Sequence, residues 1–299
     1  MKKMTIGLLK SEKAFYPENK AYKQYLELKF GYIVKEFENI SEADKYSDLI
    51  IFHCGFLPFW IKTKTPIIME YHSLSVTKFP KFKNILKRVL NRKGDAYIFL
   101  SEVVQNGFYF NSLPKDKYII RGMGVDTSLA NDNVCEKLYD FIYMGTLSRT
   151  DVKSYILKIA QSGFSIIVAG CSLEDKDFFK ENNNVICYGR IQQEELFLLA
   201  KKCKYGLNYT PDVYPLNIQD STKVIEYCAL GLKVVTNKYS WVNSFELSTG
   251  SQFMNLNDFL SLPSSIENFE FKNGCVDKFG WERILSESKI ENLIQTVMR

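Results

Sequence analysis

Short runs of β-branched and aromatic residues alternate with stretches of helical periodicity along the whole chain. Residues 4–9, 49–53, 67–71, 96–101 and 118–120 read as strands of a first half, and 139–145, 165–170, 185–188, 205–209 and 233–236 as strands of a second. Helical patterns fall near 150–162, 174–182, 193–203 and 222–230. Strands that alternate with helices build parallel sheets, because a parallel crossover needs a connection long enough to contain a helix. Between the halves, residues 127–137 are polar and aperiodic and read as a linker. Open parallel sheets bind ligands beyond the carboxyl ends of their strands. His53, His72, Gly145, Gly170 and Gly189, each at the end of an expected strand, are therefore well placed for chemistry.

A length of 299 residues accommodates two cores, and 46% hydrophobic with 24% charged residues excludes disorder, collagen-like repeats and disulfide mini-scaffolds. The net charge of +5, from 39 basic and 34 acidic residues, is too mild and dispersed for a dedicated nucleic-acid binder. Seven cysteines, with no CxxC pair or zinc spacing, read as free thiols in a reducing compartment. With His53 and His72 as the only histidines, no multi-histidine metal site is expected. The apolar run at the N-terminus is short and reads as a first strand rather than a signal peptide. The longest apolar stretch, 49–61, is too short to span a bilayer. The expected location is cytoplasmic or peripheral.

Two local patterns stand out. Residues 77–93 (TKFPKFKNILKRVLNRK) carry seven cations, Lys78, Lys81, Lys83, Lys87, Arg88, Arg92 and Lys93, and no acid. Phe82, Ile85, Leu86, Val89 and Leu90 recur there at helical spacing after Pro80, the pattern of a basic amphipathic helix. Such a helix either lies on an anionic membrane or packs normally with a solvated basic face. In 217–237 (NIQDSTKVIEYCALGLKVVTN), Asp220, Ser221 and Thr222 can cap a helix whose positive end suits a phosphate. Lys223 adds a charge there, and Glu226, one turn beyond Thr222, offers a carboxylate to ribose hydroxyls. The plain alternative is an ordinary capped helix with a solvated Glu226. Asp175-Lys176-Asp177 looks like a metal-binding DxD but stands at an expected helix start, where acidic residues meet the dipole favourably.

TKVIEYCALGLKVVTN (222–237) resembles the K-x-x-E-Y-x-A-x-G-x-P-V-V segment of GT-B glycosyltransferases of the family 4 type, with Lys233 where proline is usual. YMGTLSR (143–149), YGRIQQEELFLLAKKCKYGL (188–207), DAYIFLSE (95–102), IRGMGVD (120–126) and FGWERI (279–284) resemble other segments of that family, in the same order. The resemblance implies two Rossmann-like parallel-sheet domains facing a central cleft. An acceptor-binding domain at 1–130 would carry the helix 281–299 packed back on it, and 138–280 would form the nucleotide-sugar-binding domain. It also implies transfer of a sugar from a nucleotide-sugar donor, usually a UDP-sugar, to a glycan or lipid-linked acceptor at the cytosolic face of a membrane. No metal or other cofactor is required, because cations and a helix N-terminus stabilise the departing diphosphate.

By the same resemblance, Glu226 holds the ribose and Ser221, Thr222 and Lys223 face the diphosphate. Gly145 is the close-approach glycine, Arg149 or Lys153 supplies a further cation, and Gly189 and Arg190 lie near the base. His72 matches a histidine near the acceptor, where it would orient a hydroxyl or manage its proton; His53, among apolar neighbours, reads as structural. Ile218 stands where many members carry a second glutamate that contacts the donor sugar, and Asp212 and Asp220 are the candidate substitutes. A sugar-nucleotide epimerase of the same architecture and a GT-B-like binding module without catalysis are the rival readings.

Overall fold

The computed structural model describes residues 3–10, 16–53, 55–76, 78–130, 135–149, 151–274 and 276–299. Cys54, Thr77, Cys275 and residues 131–134 of the linker lie outside the described residues. The chain divides into two units, residues 1–125 with 278–299, and residues 126–277.

In the first unit, strands β1 (Thr5–Leu9), β2 (Ile33–Phe37), β3 (Leu49–His53), β4 (Ile67–Tyr71), β5 (Ala96–Phe99) and β6 (Tyr118–Ile120) form one parallel sheet in the order β2-β1-β3-β4-β5-β6. Helices α1 (Pro17–Phe30), α2 (Ile40–Tyr46), α3 (Pro80–Leu90) and α4 (Glu102–Gly107) lie between them in sequence. Every residue of β3 and β4 is buried, which is why both read as unbroken apolar runs rather than alternating ones. Ile51, Ile68 and Ile98 face the core shared with Tyr22 and Leu26 of α1, while Ile50, Met69 and Phe99 face a second core on the other side. Strand β2 has no such pattern because it is an edge strand with Lys35 and Glu36 exposed.

The second unit alternates β7 (Tyr139–Met144), α5 (Val152–Gln161), β8 (Ile166–Ala169), α6 (Leu173–Phe179), β9 (Val185–Tyr188), α7 (Gln193–Lys201), β10 (Cys203–Asn208), α8 (Thr222–Ala229), β11 (Lys233–Thr236), α9 (Ser240–Thr249), β12 (Met254–Asn255) and α10 (Leu256–Ser261). Its parallel sheet runs β12-β11-β10-β7-β8-β9, the strand order of dinucleotide-binding sheets. The expected α/β class with two Rossmann-like parallel sheets is the observed one. Cys135, Cys171, Cys187, Cys203 and Cys228 are free thiols.

Helices α11 (Trp281–Ser288) and α12 (Ile290–Met298) return to the first unit, where Leu285, Ile290, Leu293 and Ile294 join the α1 side of the core. They are two helices rather than one, because Lys289 between them adopts φ 57°. The chain is back on the first unit before residue 281, since Val125 N donates to Phe279 O (2.7 Å) and Trp281 N to Val125 O (3.2 Å).

Both sheets have a switch point, between β1 and β3 and between β7 and β10, where strand order reverses. The β7–β10 ladder runs only to Ile142 and Gly206. Beyond it the buried Tyr227 of α8 takes over: its hydroxyl accepts from Met144 N (3.0 Å) and donates to Leu207 O (3.1 Å). Gly206 makes room for that ring, because a side-chain carbon there would lie 2.5 Å from Tyr227 Cγ. Tyr227→Phe leaves both backbone groups without this partner and is expected to cost about 1–3 kcal/mol in equilibrium urea unfolding. A stability equal to the wild type would show that the phenol does not tie α8 to the two strands.

Candidate functional site

The carboxyl ends of β7 and β10 gather the second unit's polar side chains. Arg149 Nη1 donates to Tyr209 O (2.9 Å) and Thr210 Oγ1 (3.0 Å), just past β10. Lys223, in the first turn of α8, reaches to β7, where Nζ donates to Tyr143 OH (3.0 Å) and lies 4.2 Å from the ring centre. Gly145 directly follows β7 with φ +131°, and a side-chain carbon on it would stand 3.5 Å from the Lys223 ammonium. The glycine thus leaves bare backbone beside the cation. Among the described residues both cations donate to neutral oxygens, and neither forms an ion pair.

Burial pushes Lys223 down to about 7, Arg149 adds to the shift, and Glu226 opposes it. Burial raises Glu226 to about 7, with Lys223 working the other way. Asn208, fully buried at the end of β10, donates to Thr236 Oγ1 (2.9 Å) and Tyr239 OH (3.3 Å) and accepts from Ser221 Oγ (3.4 Å). Sequence reasoning missed Tyr143, Asn208, Thr210 and Tyr239. A polar residue ending an apolar strand, as in YGLN, was the available signal for Asn208.

Several expectations need correction. Ser221 occupies the N-cap position of α8, but no side chain caps the helix; its hydroxyl is turned to Asn208 instead. Asp220 accepts from Trp241 Nε1 (2.8 Å) and Asp212 from Asn217 Nδ2 (3.0 Å), so both candidate substitutes for Ile218 are engaged. Lys153 is not a free cation, since its ammonium lies 2.6 Å from Asp175. The DxD, by contrast, is the helix start it was expected to be: Asp175 belongs to the capping box of α6 with Ser172, and Asp177 pairs with Lys180 (3.0 Å). Gly189 follows β9, its carbonyl accepting from Gly170 N (3.2 Å), and Arg190 beside it is exposed. Thr222 opens α8 next to Lys223.

The first unit holds a second polar cluster at its strand ends. Glu70 of β4 is fully buried and accepts from Tyr22 OH (2.9 Å) and Arg121 Nε (2.8 Å). Burial would raise its pKa, but Arg121, His53 and His72 outweigh that and hold the carboxyl well below its usual range. His72 is partly exposed, with Nδ1 3.1 Å from Glu18 and Nε2 3.0 Å from Glu70. His53 is buried, its Nε2 2.5 Å from Asn19 Oδ1. The two histidines, expected to build no multi-histidine metal site, lie at the ends of adjacent strands, His53 closing β3 and His72 directly following β4, and Glu18 joins them. Glu18, Asn19, Glu70 and Arg121 were missed; the signals were an acid inside the apolar run IIMEY and an arginine closing YIIR.

Helix α3 is inverted relative to an ordinary surface helix. Its buried residue is Asn84, whose Oδ1 accepts from Ser75 N (3.0 Å), whereas Phe82 and Val89 are 64% and 67% exposed. Phe59 and Trp60 are also exposed on a loop tied to the end of α3 by Phe59 N to Leu90 O (2.9 Å). Lys87 and Arg88 instead lie over the rings of Phe108 and Phe110. Among the described residues no helix is long and apolar enough to cross a membrane.

No protein-family model matches this sequence, and no curated sequence does. Solved structures do. A glycosyltransferase involved in avilamycin A biosynthesis is similar at 14% identity, with 98% of each chain covered and a TM-score of 0.63. A UDP-GlcNAc 2-epimerase from Neisseria meningitidis, bound to UDP-GlcNAc, is similar at 12% identity over 97% of this chain and 99% of that one, with a TM-score of 0.58. The lipopolysaccharide outer core galactosyltransferase WaaB is similar at 12% identity over 98% and 99%, with a TM-score of 0.56. The likeness is one of fold, and that fold is GT-B.

The lowered Lys223 ammonium can be observed directly. In protein carrying 13C-labelled lysine, one side chain is expected to titrate near pH 7, charged below and neutral above, where an ordinary lysine titrates near 10.5. Lys223→Met should remove that titration. A spectrum in which every lysine titrates above about pH 9 would contradict the desolvated environment described for Lys223.

Proposed function

We propose that the chain is a glycosyltransferase that moves a sugar from a nucleotide-sugar donor, in the first place a UDP-sugar, to a surface-glycan or lipid-linked acceptor at the cytosolic face of a membrane. The observation that carries this reading is the pair of cations, Arg149 and Lys223, that form no ion pair among the described residues at the switch point of the second unit, with Gly145 beside Lys223. Two such cations invite a polyanion, and a diphosphate fits both their number and the bare backbone beside Lys223. Binding it would restore the Lys223 charge that burial disfavours. In transfer, the same cations would stabilise the charge developing on the departing nucleoside diphosphate. Glu226, three residues beyond Lys223 on the same helix face, serves the ribose hydroxyls. Ser221 and Thr222 border the diphosphate, and Gly189 and Arg190 the base. His72 and its carboxylate neighbours in the first unit receive the acceptor hydroxyl.

The epimerase reading has its own support in an epimerase of the same fold and in Ile218, which replaces the family's sugar-contacting glutamate. Transfer is favoured by α3 and the Phe59–Trp60 loop, since an enzyme with a soluble substrate has no use for an exposed apolar and basic face. Product analysis with and without a glycan or lipid-linked acceptor decides between them. Transfer releases nucleoside diphosphate and labels the acceptor; epimerisation alters the nucleotide sugar with no acceptor present; a binding module does neither.

Glu226→Ala removes a charge-assisted contact worth about 1.5–3 kcal/mol and should weaken nucleoside diphosphate binding by about 10–150-fold in calorimetric titration. Glu226→Gln should weaken it less. Wild-type affinity in the alanine variant would remove the ribose from this helix. For the membrane, Lys78, Lys81 and Lys83 are the exposed cations to test. At about 1 kcal/mol for each basic residue near an anionic surface, their joint replacement by glutamate should lower vesicle binding at least tenfold at low salt. Wild-type protein that ignores anionic vesicles would refute the surface assignment.

A further inference from the structure

His53 closes β3 and His72 directly follows the neighbouring β4, with their ring centres 5.2 Å apart. Asn19 fixes the state of the first. Its amide nitrogen donates to Leu9 O (3.3 Å) and Glu36 Oε1 (2.8 Å), so its oxygen faces His53 Nε2, which must carry the hydrogen. A neutral His53 then presents Nδ1 as a lone pair. That atom is buried without a hydrogen-bond partner, although Glu70 Oε2 lies 3.2 Å away out of line.

His72 faces a carboxylate oxygen at each nitrogen, Glu18 at Nδ1 and Glu70 at Nε2. A neutral imidazole has one N–H, so one nitrogen must set a lone pair against an anionic oxygen. Glu70 is already neutralised by Arg121 and held by Tyr22, which suits it to orient imidazoles rather than bind an ion. The cluster thus gathers electron-pair donors from His53, His72 and Glu18, with His53 Nδ1 and His72 Nε2 both buried and without a hydrogen-bond partner. One donor atom from each of these three residues lies within 4.8 Å of the other two.

We infer that Glu18, His53 and His72 form a binding site for a divalent transition-metal ion of the zinc type, with Asn19 orienting the His53 imidazole from behind. Two imidazoles and one carboxylate are a familiar ligand set for such ions. Behind His53 stands the Asn19 amide oxygen, the kind of outer partner that orients metal-bound histidines, while His72 Nε2, 3.0 Å from Glu70, is, like His53 Nδ1, buried without a hydrogen-bond partner. Three protein ligands leave a position for water or a substrate oxygen, and the partly exposed His72, at 23% of its side-chain surface, opens the site to solvent. This site is separate from the diphosphate-facing cations of the second unit, and its occupancy does not depend on the transferase reading.

Calorimetric titration of the full chain with Zn²⁺, after chelator treatment and dialysis, tests the inference. The wild type is expected to bind one equivalent with micromolar affinity or tighter. His53→Ala, His72→Ala and Glu18→Gln should each lose that binding, and Asn19→Ala should weaken it by about 10–100-fold. All variants keep the cysteines, so zinc held by thiols would survive the histidine substitutions and overturn the proposal. A wild type that binds no zinc would also overturn it, leaving protons to hold the cluster together. Far-UV circular dichroism reports folding; should His53→Ala fail to fold, the partly exposed His72→Ala and the isosteric Glu18→Gln carry the decision.

Discussion

Where β7 and β10 cease to pair, past Ile142 and Gly206, buried backbone groups need partners that the ladder no longer supplies. Tyr227 answers both strands with one hydroxyl and thereby fixes α8 against the strand ends. From that anchor Lys223 extends over Tyr143 and beside Gly145, and Glu226 stands directly before the anchoring residue. A loosened Tyr227 would move every α8 side chain assigned to the donor. The first unit meets the same requirement with Asn19, which joins Leu9 at the end of β1 to His53 at the end of β3. In both units a side chain from a helix spans the crevice where an open α/β sheet binds ligands.

Polar groups are treated differently at the two crevices. In the first unit Glu70 is buried and paired, accepting from Arg121 and Tyr22 with both histidines beside it. Buried charge of this kind is retained only when paired, and it locks α1 to β3, β4 and the residue following β6. At the second unit's crevice Arg149 and Lys223 form no ion pair among the described residues, and burial and mutual repulsion depress Lys223. Such uncompensated charge costs stability, which is what a site prepared for an anionic ligand looks like.

Much of the fold was legible because buried parallel strands are continuous apolar runs, and β3, β4, β6, β9 and β11 fall where the pattern places them. Strand β2 was not legible, since its exposed Lys35 and Glu36 break the run, and β12 has only two residues. Helix α1 was obscured because its first turn buries Glu18 and Asn19 rather than apolar residues. At the site, Gly145, Lys223 and Glu226 could be singled out because local spacing carries them. Lys153 could not be judged locally, because its partner Asp175 lies on the next helix. Nor could the sequence show that α3 turns Asn84 inward and its apolar stripe outward, since periodicity locates a stripe without saying what it faces.

The most direct measurement of the central claim, that the switch point of the second unit receives a nucleoside diphosphate, is a crystal structure of the protein with UDP bound. Diphosphate oxygens within hydrogen-bonding distance of Lys223 Nζ and the Arg149 guanidinium, next to Gly145, with the ribose hydroxyls on Glu226, is the expected result. A nucleotide bound elsewhere, or one whose diphosphate avoids both cations, would contradict it.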